Sequence, residues 1–340
     1  MLDDLKKIHE RDPQDALGIA EKQGEQLAHT FDLLFEPRDI ANVVVAGMGG
    51  SALSALVAQS WPGLSVPFEV VRRYDIPSYV GEKTLFIASS YSGNTEETVS
   101  ALEQASATGA AIVVIASGGK LQEMATAKGY PFLQLPSGYQ PRHVVPVSLK
   151  ALLSIFDAYR LTEGAAETLA GMAAGVASCT AQWAPTVATK DNLAKQIALE
   201  CMGKSVVVYA GPKLAPAAYK WKISFNENAK QIAWWNEYSE FNHNEFMGWT
   251  EQPEQKPYAV IDLRSNLEHP QIQKRFEISA KLLSGKRPAP IIVEAPGETL
   301  LEQLLSVIAL GDFVSLYTAL LGNINPTPVD LIEKLKKELT

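Results

Sequence analysis

Cysteine is the scarcest feature of this chain. Its 340 residues include two, Cys179 and Cys201, too few for a disulfide framework. Both fall in helical patterns, where a buried thiol is expected. Metal-ligand patterns are missing as well. His243 with Glu245 does not make the paired-histidine helix of a zinc hydrolase, and no Cys/His cluster occurs, so no metal is expected. No run of about 18 apolar residues is present, which argues against a membrane span. The N-terminus, MLDDLKKIHERD, is charged with no apolar stretch behind it, so no signal peptide is expected and the cytoplasm is the default location. Positive charge is also in deficit. With 30 Lys and Arg against 38 Asp and Glu, the net charge is −8; a broad nucleic-acid-binding surface is excluded, although a local basic pocket is not. No low-complexity segment separates one part from another. The remaining composition, 46% hydrophobic and 20% charged, is that of an ordinary soluble protein of two domains or one large one.

The richest stretch is Phe225–Trp249, FNENAKQIAWWNEYSEFNHNEFMGW. It gathers Glu227, Glu237, Glu240 and Glu245 with His243, Trp234, Trp235 and Trp249. Carboxylates set against apolar walls are how proton-transfer groups are tuned. Taken alone, the stretch leaves open whether these groups hold a metal, move protons or only pair with each other; Glu245 is a candidate to orient His243.

Around it, two patterns repeat. Residues 1–40 have helical spacing, with Ala16, Ile19, Ala20, Leu27, Phe31 and Leu34 apolar, and Asp12-Pro13 marks a break or a helix start. They are expected to form a helical lead-in packed on the first domain. From Ile40, short apolar runs alternate with helices. Asn42–Ala46, Phe68–Val71, Thr84–Ser89, Ala111–Ala116 and Phe132–Leu135 read as strands. After a helix-rich bridge (Ser148–Tyr159, Glu163–Thr180) the alternation restarts with Ser205–Ala210, Ile232–Trp234, Tyr258–Leu263 and Pro290–Glu294. Helices are expected at about Ala215–Phe225, Pro270–Leu283, Leu300–Leu321 and Val329–Leu339. This is the signature of doubly wound parallel sheets. The expected division is a helical segment 1–40, one α/β domain 41–160 and a second 161–340.

In such sheets ligands bind at the carboxyl ends of strands, beside helix N-termini. Two of these ends stand out. Gly47-Met48-Gly49-Gly50-Ser51-Ala52 lets backbone approach an anion at a helix start. Ser89-Ser90-Tyr91-Ser92-Gly93-Asn94-Thr95 crowds hydroxyls onto another, and hydroxyls donate to a tetrahedral anion without adding charge. Together they suit one phosphate. Gly47-x-Gly49-x-x-Ala52 also fits a dinucleotide fingerprint, with Arg72 and Arg73 where an acid is usual; that would suit NADP but leaves the serine-rich loop unexplained. A Walker loop is excluded, since no Gly-Lys-Ser/Thr follows. A plainer reading is that Ser and Gly only cap helices. Gln140-Pro141-Arg142-His143 offers Arg142 to a developing negative charge, or to a surface ion pair.

The motifs GMGGS (47–51), SSYSGNTEET (89–98), QPR (140–142), NENAK (226–230) and NHNE (242–245), in that order over about residues 40–340, resemble the bifunctional phosphoglucose/phosphomannose isomerase family. The resemblance implies an α/β protein of two SIS-type, flavodoxin-like domains in tandem, with an N-terminal helical lead-in and a C-terminal helix. It implies that Gly49, Gly50, Ser51, Ser90, Ser92 and Thr95 bind substrate phosphate, that Arg142 stabilises an enediolate and that Glu227 shuttles a proton between C1 and C2. His243 would open the sugar ring from the neighbouring subunit of a homodimer, and Lys336, near Lys334 and Lys337, would reach the ring-oxygen region. The implied substrate is a 6-phosphorylated hexose, with no cofactor, metal, nucleic acid or membrane partner. The chain differs from the family at 231–241, which is rich in tryptophan and acid, and at Tyr219-Lys220-Trp221-Lys222. A 6-sulfonate sugar such as sulfoquinovose, isomerised to sulfofructose, is an alternative substrate. A non-catalytic sugar-phosphate-binding regulator is an alternative of another class, which Glu227, His243 and Arg142 together argue against.

Overall fold

Runs of β-branched residues bounded by glycine and polar turns become strands, because branched side chains fit a pleated surface buried on both faces. The computed structural model describes residues 1–33, 37–251 and 257–339; Leu34, read with the first helical stretch, lies outside them. Its residues fall into two units, Gln23–Gly175 and Val176–Thr340, the second including Met1–Lys22.

The first unit holds five parallel strands: β1 (Asn42–Ala46), β2 (Phe68–Val71), β3 (Thr84–Ser89), β4 (Ala111–Ala116) and β5 (Phe132–Gln134). Their order is β2-β1-β3-β4-β5, so connections leave β1 and β3 in opposite directions. On one face Val44, Ala46, Phe86, Ala88 and Val114 pack with Val99, Leu102, Leu121 and Ala125 of the helices Glu96–Ala105 and Gly119–Lys128. Helix Gly49–Ser60 packs against Val145–Ala158.

The second unit repeats the winding with four strands, β6 (Ser205–Ala210), β7 (Ala233–Glu237), β8 (Tyr258–Arg264) and β9 (Ile291–Glu294), in the order β7-β6-β8-β9. β7 starts one residue later than expected and runs three further, because its pairing with β6 carries it from Ala233 opposite Val206 to Glu237 opposite Ala210. Beneath lies helix Leu300–Leu321, opened by a capping box between Thr299 and Glu302. By length and composition it is apolar enough to cross a membrane, contrary to the expectation of no such stretch. Yet 94% of its apolar window is buried, so it serves as a core helix. Gly311 gives Trp221 its seat: a Cβ there would stand 2.4 Å from the indole, whose Nε1 donates to the Val307 carbonyl at 2.7 Å.

The helical lead-in departs from its expected form and place. It is three short helices, Leu5–Arg11, Ala16–Glu21 and Gln23–Leu27, and Phe31 lies outside them. Asp12 ends the first and Asp15 caps the second, while the Asp12 carboxylate accepts from the Ala16 and Leu17 amides at 2.9 Å each. Residues 1–22 belong with the C-terminal unit, not the first domain. Arg11 donates to the Leu320 carbonyl, Thr180 to the Glu21 carbonyl, and the fully buried Lys195 ammonium reaches Asp3 at 3.1 Å. Periodicity shows that a helix has an apolar face, not which domain covers it. The 163–180 stretch forms two helices, Ala165–Gly171 and Ala173–Ala181. Cys201 is buried as expected, which pushes its thiol up to about 12; Cys179 is half-buried.

Candidate active site

In the first unit the candidate phosphate residues meet where the strand order reverses, at the carboxyl ends of β1 and β3. Gly49 opens its helix at φ +51°. Gly50 is pressed against the segment carrying Arg142: a Cβ on it would meet the Pro141 carbonyl oxygen at 2.5 Å. Ser51 is buried and its hydroxyl accepts from the Tyr91 amide at 3.2 Å, tying the two loops together. Ser90 and Thr95 hydroxyls lie 2.8 Å apart, and Ser90 also accepts from the Gly93 amide. Ser92 is exposed and accepts from the Asn94 amide at 3.3 Å.

The helix starts decide between capping and binding. Neither Gly49–Ser60, of 12 residues, nor Glu96–Ala105, of 10, has a side-chain cap bond at its N-terminus. The capping reading of these serines is therefore corrected: their hydroxyls bond between loops or within them. An uncapped helix start retains its partial positive charge and outward amides, which favour an anion. Glu96, in the first turn, would compete for that role, but its carboxylate accepts from the Tyr74 hydroxyl at 3.0 Å.

Arg142 is 1% exposed, so it is no surface ion-pair residue. It sits in the short turn Pro141–His143 and donates to the Gln140 side chain at 3.3 Å. The residue that sequence reasoning missed is Tyr91. Besides its amide bond to Ser51, its hydroxyl donates to the Pro136 carbonyl and accepts from the Tyr139 amide at 2.9 Å. It thereby fixes the 136–142 segment to the serine loop. One large aromatic inside a run of small polar residues was the available signal.

In the second unit Glu227 closes helix Ala215–Glu227 and is half-buried. The next turn of that helix faces Leu300–Leu321 through a buried polar cluster. Lys220 pairs with Asp312, both nearly inaccessible. Ser224 donates to Asp312 at 2.8 Å, and Asn228 to Ser315 at 2.9 Å. Positions 220, 224 and 228 share one helical face, so this cluster fixes the rotation of the helix that ends in Glu227. Removing one partner of a buried pair costs about 3–5 kcal/mol. Lys230, at φ +53°, braces the helix end: its ammonium donates to the carbonyls of Glu227 at 2.7 Å and Pro326 at 3.0 Å.

His243 lies exposed at the end of the turn Glu240–His243. Glu245, a candidate to orient it, is otherwise engaged. Its carboxylate accepts from the Tyr209 hydroxyl and, at 2.7 Å, from Asn236. Trp234 is 50% exposed and Trp235 half-buried, so neither is a core residue. Lys336 lies on the exposed helix Asp330–Leu339, 2.8 Å from Glu333. Among the described residues no group of three or more His, Cys, Asp or Glu could hold a metal ion.

Tandem parallel sheets, one with two hydroxyl-bearing loops at its switch point, define a sugar-isomerase (SIS) type of protein. Residues 38–129 match the SIS domain, and 190–339 the bacterial phospho-glucose isomerase C-terminal SIS domain. The chain is 37% identical to a bifunctional phosphoglucose/phosphomannose isomerase of Caldicellulosiruptor bescii, over 92% of this chain and 94% of that one. It is 35% identical to the protein of that description from Thermoplasma volcanium, over 91% and 95%. The chain belongs to the bifunctional phosphoglucose/phosphomannose isomerase family, as the five motifs implied. Among solved structures, a glucose-6-phosphate isomerase like protein from Thermus thermophilus shares the fold, with a TM-score of 0.68, 18% identity and coverage of 99% of this chain and 98% of that one.

Proposed function

We propose that the protein is an aldose–ketose isomerase that interconverts glucose 6-phosphate and mannose 6-phosphate with fructose 6-phosphate, in the cytoplasm and without a cofactor. The observation that carries this reading is the pair of uncapped helix starts whose loops, Gly47–Ala52 and Ser89–Thr95, are joined through the Ser51–Tyr91 bond. Gly49, Gly50, Ser51, Ser90, Ser92 and Thr95 take the phosphate there: amides and hydroxyls surround it with donors while two helix dipoles balance its charge.

Ring opening comes first, with His243, contributed by the second subunit of a homodimer, moving the proton between the ring oxygen and the anomeric hydroxyl. Glu227 then takes the C2 proton of the open aldose and returns it at C1, while the C2 hydroxyl proton passes to the C1 oxygen. The intermediate is an enediolate, whose charge Arg142 offsets. Lys336 assists at the ring oxygen. Support for Glu227 is its fixed helix end, and for Arg142 its burial against the phosphate loops.

A coupled assay of glucose 6-phosphate, mannose 6-phosphate and sulfoquinovose tests the reading. Turnover of both phosphates is expected, and sulfoquinovose turned over in preference to either would reject the phosphate assignment. Sedimentation across a range of concentrations tests the dimer; an active monomer would remove the role given to His243.

A further inference from the structure

The residues between Glu227 and His243 help build a cleft to which the isomerase reading assigns nothing. It has a volume of about 410 Å³ and is walled by Trp234, Trp235, Trp249 and Tyr258 over Val207, with Glu245 as its charged group. That size suits a small molecule. Its origin is the edge of the second sheet. Val207 and Trp234 are register partners on β6 and β7, and among the described residues β7 has no strand beyond it, so this part of the face stays open. Trp249 closes one side, edge-on to Tyr258 at 5.2 Å.

Glu245 is held in a fixed pose. Tyr209 donates to one carboxylate oxygen and Asn236 to the other, while the Trp249 indole donates to the Tyr209 oxygen at 2.9 Å. Burial first, and the charge of Glu245 second, push the Tyr209 hydroxyl well above its ordinary value, so it stays a donor. Each carboxylate oxygen can accept more than one bond, so capacity remains on both.

We propose that this cleft binds a small organic ammonium ion. Indole and phenol faces carry negative potential and attract cations, most strongly when water is excluded. An anion would meet those faces and a carboxylate, with no lysine or arginine among the described lining residues. A neutral apolar guest would strip water from Glu245 without offering it a counter-charge. One of these rings, Trp249, already has a cation beside it, as do Tyr209 and Phe241 outside the lining. The Arg287 guanidinium lies 5.3 Å from the Tyr209 centroid, 5.6 Å from Phe241 and 5.9 Å from Trp249. The buried Asp262 carboxylate attracts Arg287 and offsets its charge, which leaves Glu245 to balance a guest.

Choline titrated into the full-length protein at constant ionic strength, followed by tryptophan fluorescence, is the test. Its comparison is the uncharged alcohol in which carbon replaces the choline nitrogen. A saturable response to choline is expected, with the alcohol at least about tenfold weaker. Glu245→Gln and Trp234→Ala, checked for fold by circular dichroism, should each weaken choline by roughly threefold to tenfold. No saturable response, as when a second copy of the chain fills the cleft, overturns the proposal. So does an equal response to choline and the alcohol, a comparison on the unaltered protein that holds even if a variant fails to fold.

Discussion

The two sheets are wound alike, and their switch points are furnished differently. At the first, the helix that follows β1 begins beside serine and threonine hydroxyls and carries no side-chain cap. At the second, the helix that follows β6 begins beside the protein's own carboxylate: Glu268, 5% exposed, accepts from the Lys213 amide at 2.8 Å. Burial raises the Glu268 carboxyl above its ordinary range, and the Lys213 amide and charge oppose that rise. An internal anion thus stands in the second sheet where the first leaves its helix start for an external one. The second sheet also buries Asp262 opposite Tyr209, at the register where the first pairs Ile87 with Val45. One winding therefore carries two furnishings: hydroxyls at an uncapped helix start in the first unit, where the substrate phosphate is proposed to bind, and an internal carboxylate in the second.

That contrast can be broken at four points. Glu227→Gln should have the largest effect, a loss of roughly 10²–10⁴ in kcat with KM little changed; steady-state kinetics that show full activity would remove Glu227 as the base. Next, Ser90→Ala with Ser92→Ala should raise KM for the sugar phosphate by about tenfold to hundredfold, since bonds to a charged group are lost. An unchanged KM would mean the first cradle is not for phosphate.

The third point is Asp262, whose carboxyl is pushed up from 3.8 to about 6, by burial above all, against the pull of Arg287 and of Arg264. The folded state then holds a proton that the unfolded state releases between about pH 4 and 6. Stability should fall as pH rises through that window and level off above it, by about 3 kcal/mol in total. Asp262→Asn should flatten that slope in urea melts taken across the range, and an unaltered slope would assign it to other groups. The smallest effect is expected from Glu268→Ala: a loss of about 1–3 kcal/mol in stability with KM intact. A changed KM would show that the second switch point also serves substrate.

Much of the frame was legible in the sequence. β1 to β4 and β6 fall where the apolar runs put them, because a buried parallel strand is nearly continuous in valine, isoleucine and leucine and stops at glycine or at a change to polar residues. The two polar loops proposed to hold phosphate were legible as loops for the same reason, being the punctuation after β1 and β3. What escaped was whatever depends on partners far apart in the chain. Glu268 draws no notice in the sequence, because the Lys213 amide that it serves lies 55 positions away. Glu245 read as a partner for His243, and only the fold brings Tyr209 to it. The first 22 residues read as a cover for their neighbours in sequence, and their bonds to Leu320, Thr180 and Lys195 lie beyond any local pattern.

The seat of Trp221 on Gly311 has a consequence for how such sequences can vary. The indole fills the notch that the missing side chain leaves, so the two positions form one volume shared between two helices. Enlarging residue 311 alone forces the indole out, and shrinking residue 221 alone leaves a void of the kind that costs about 3–5 kcal/mol. Substitution at either position is therefore expected to travel with substitution at the other, and the helix that ends in Glu227 inherits its alignment from that pairing.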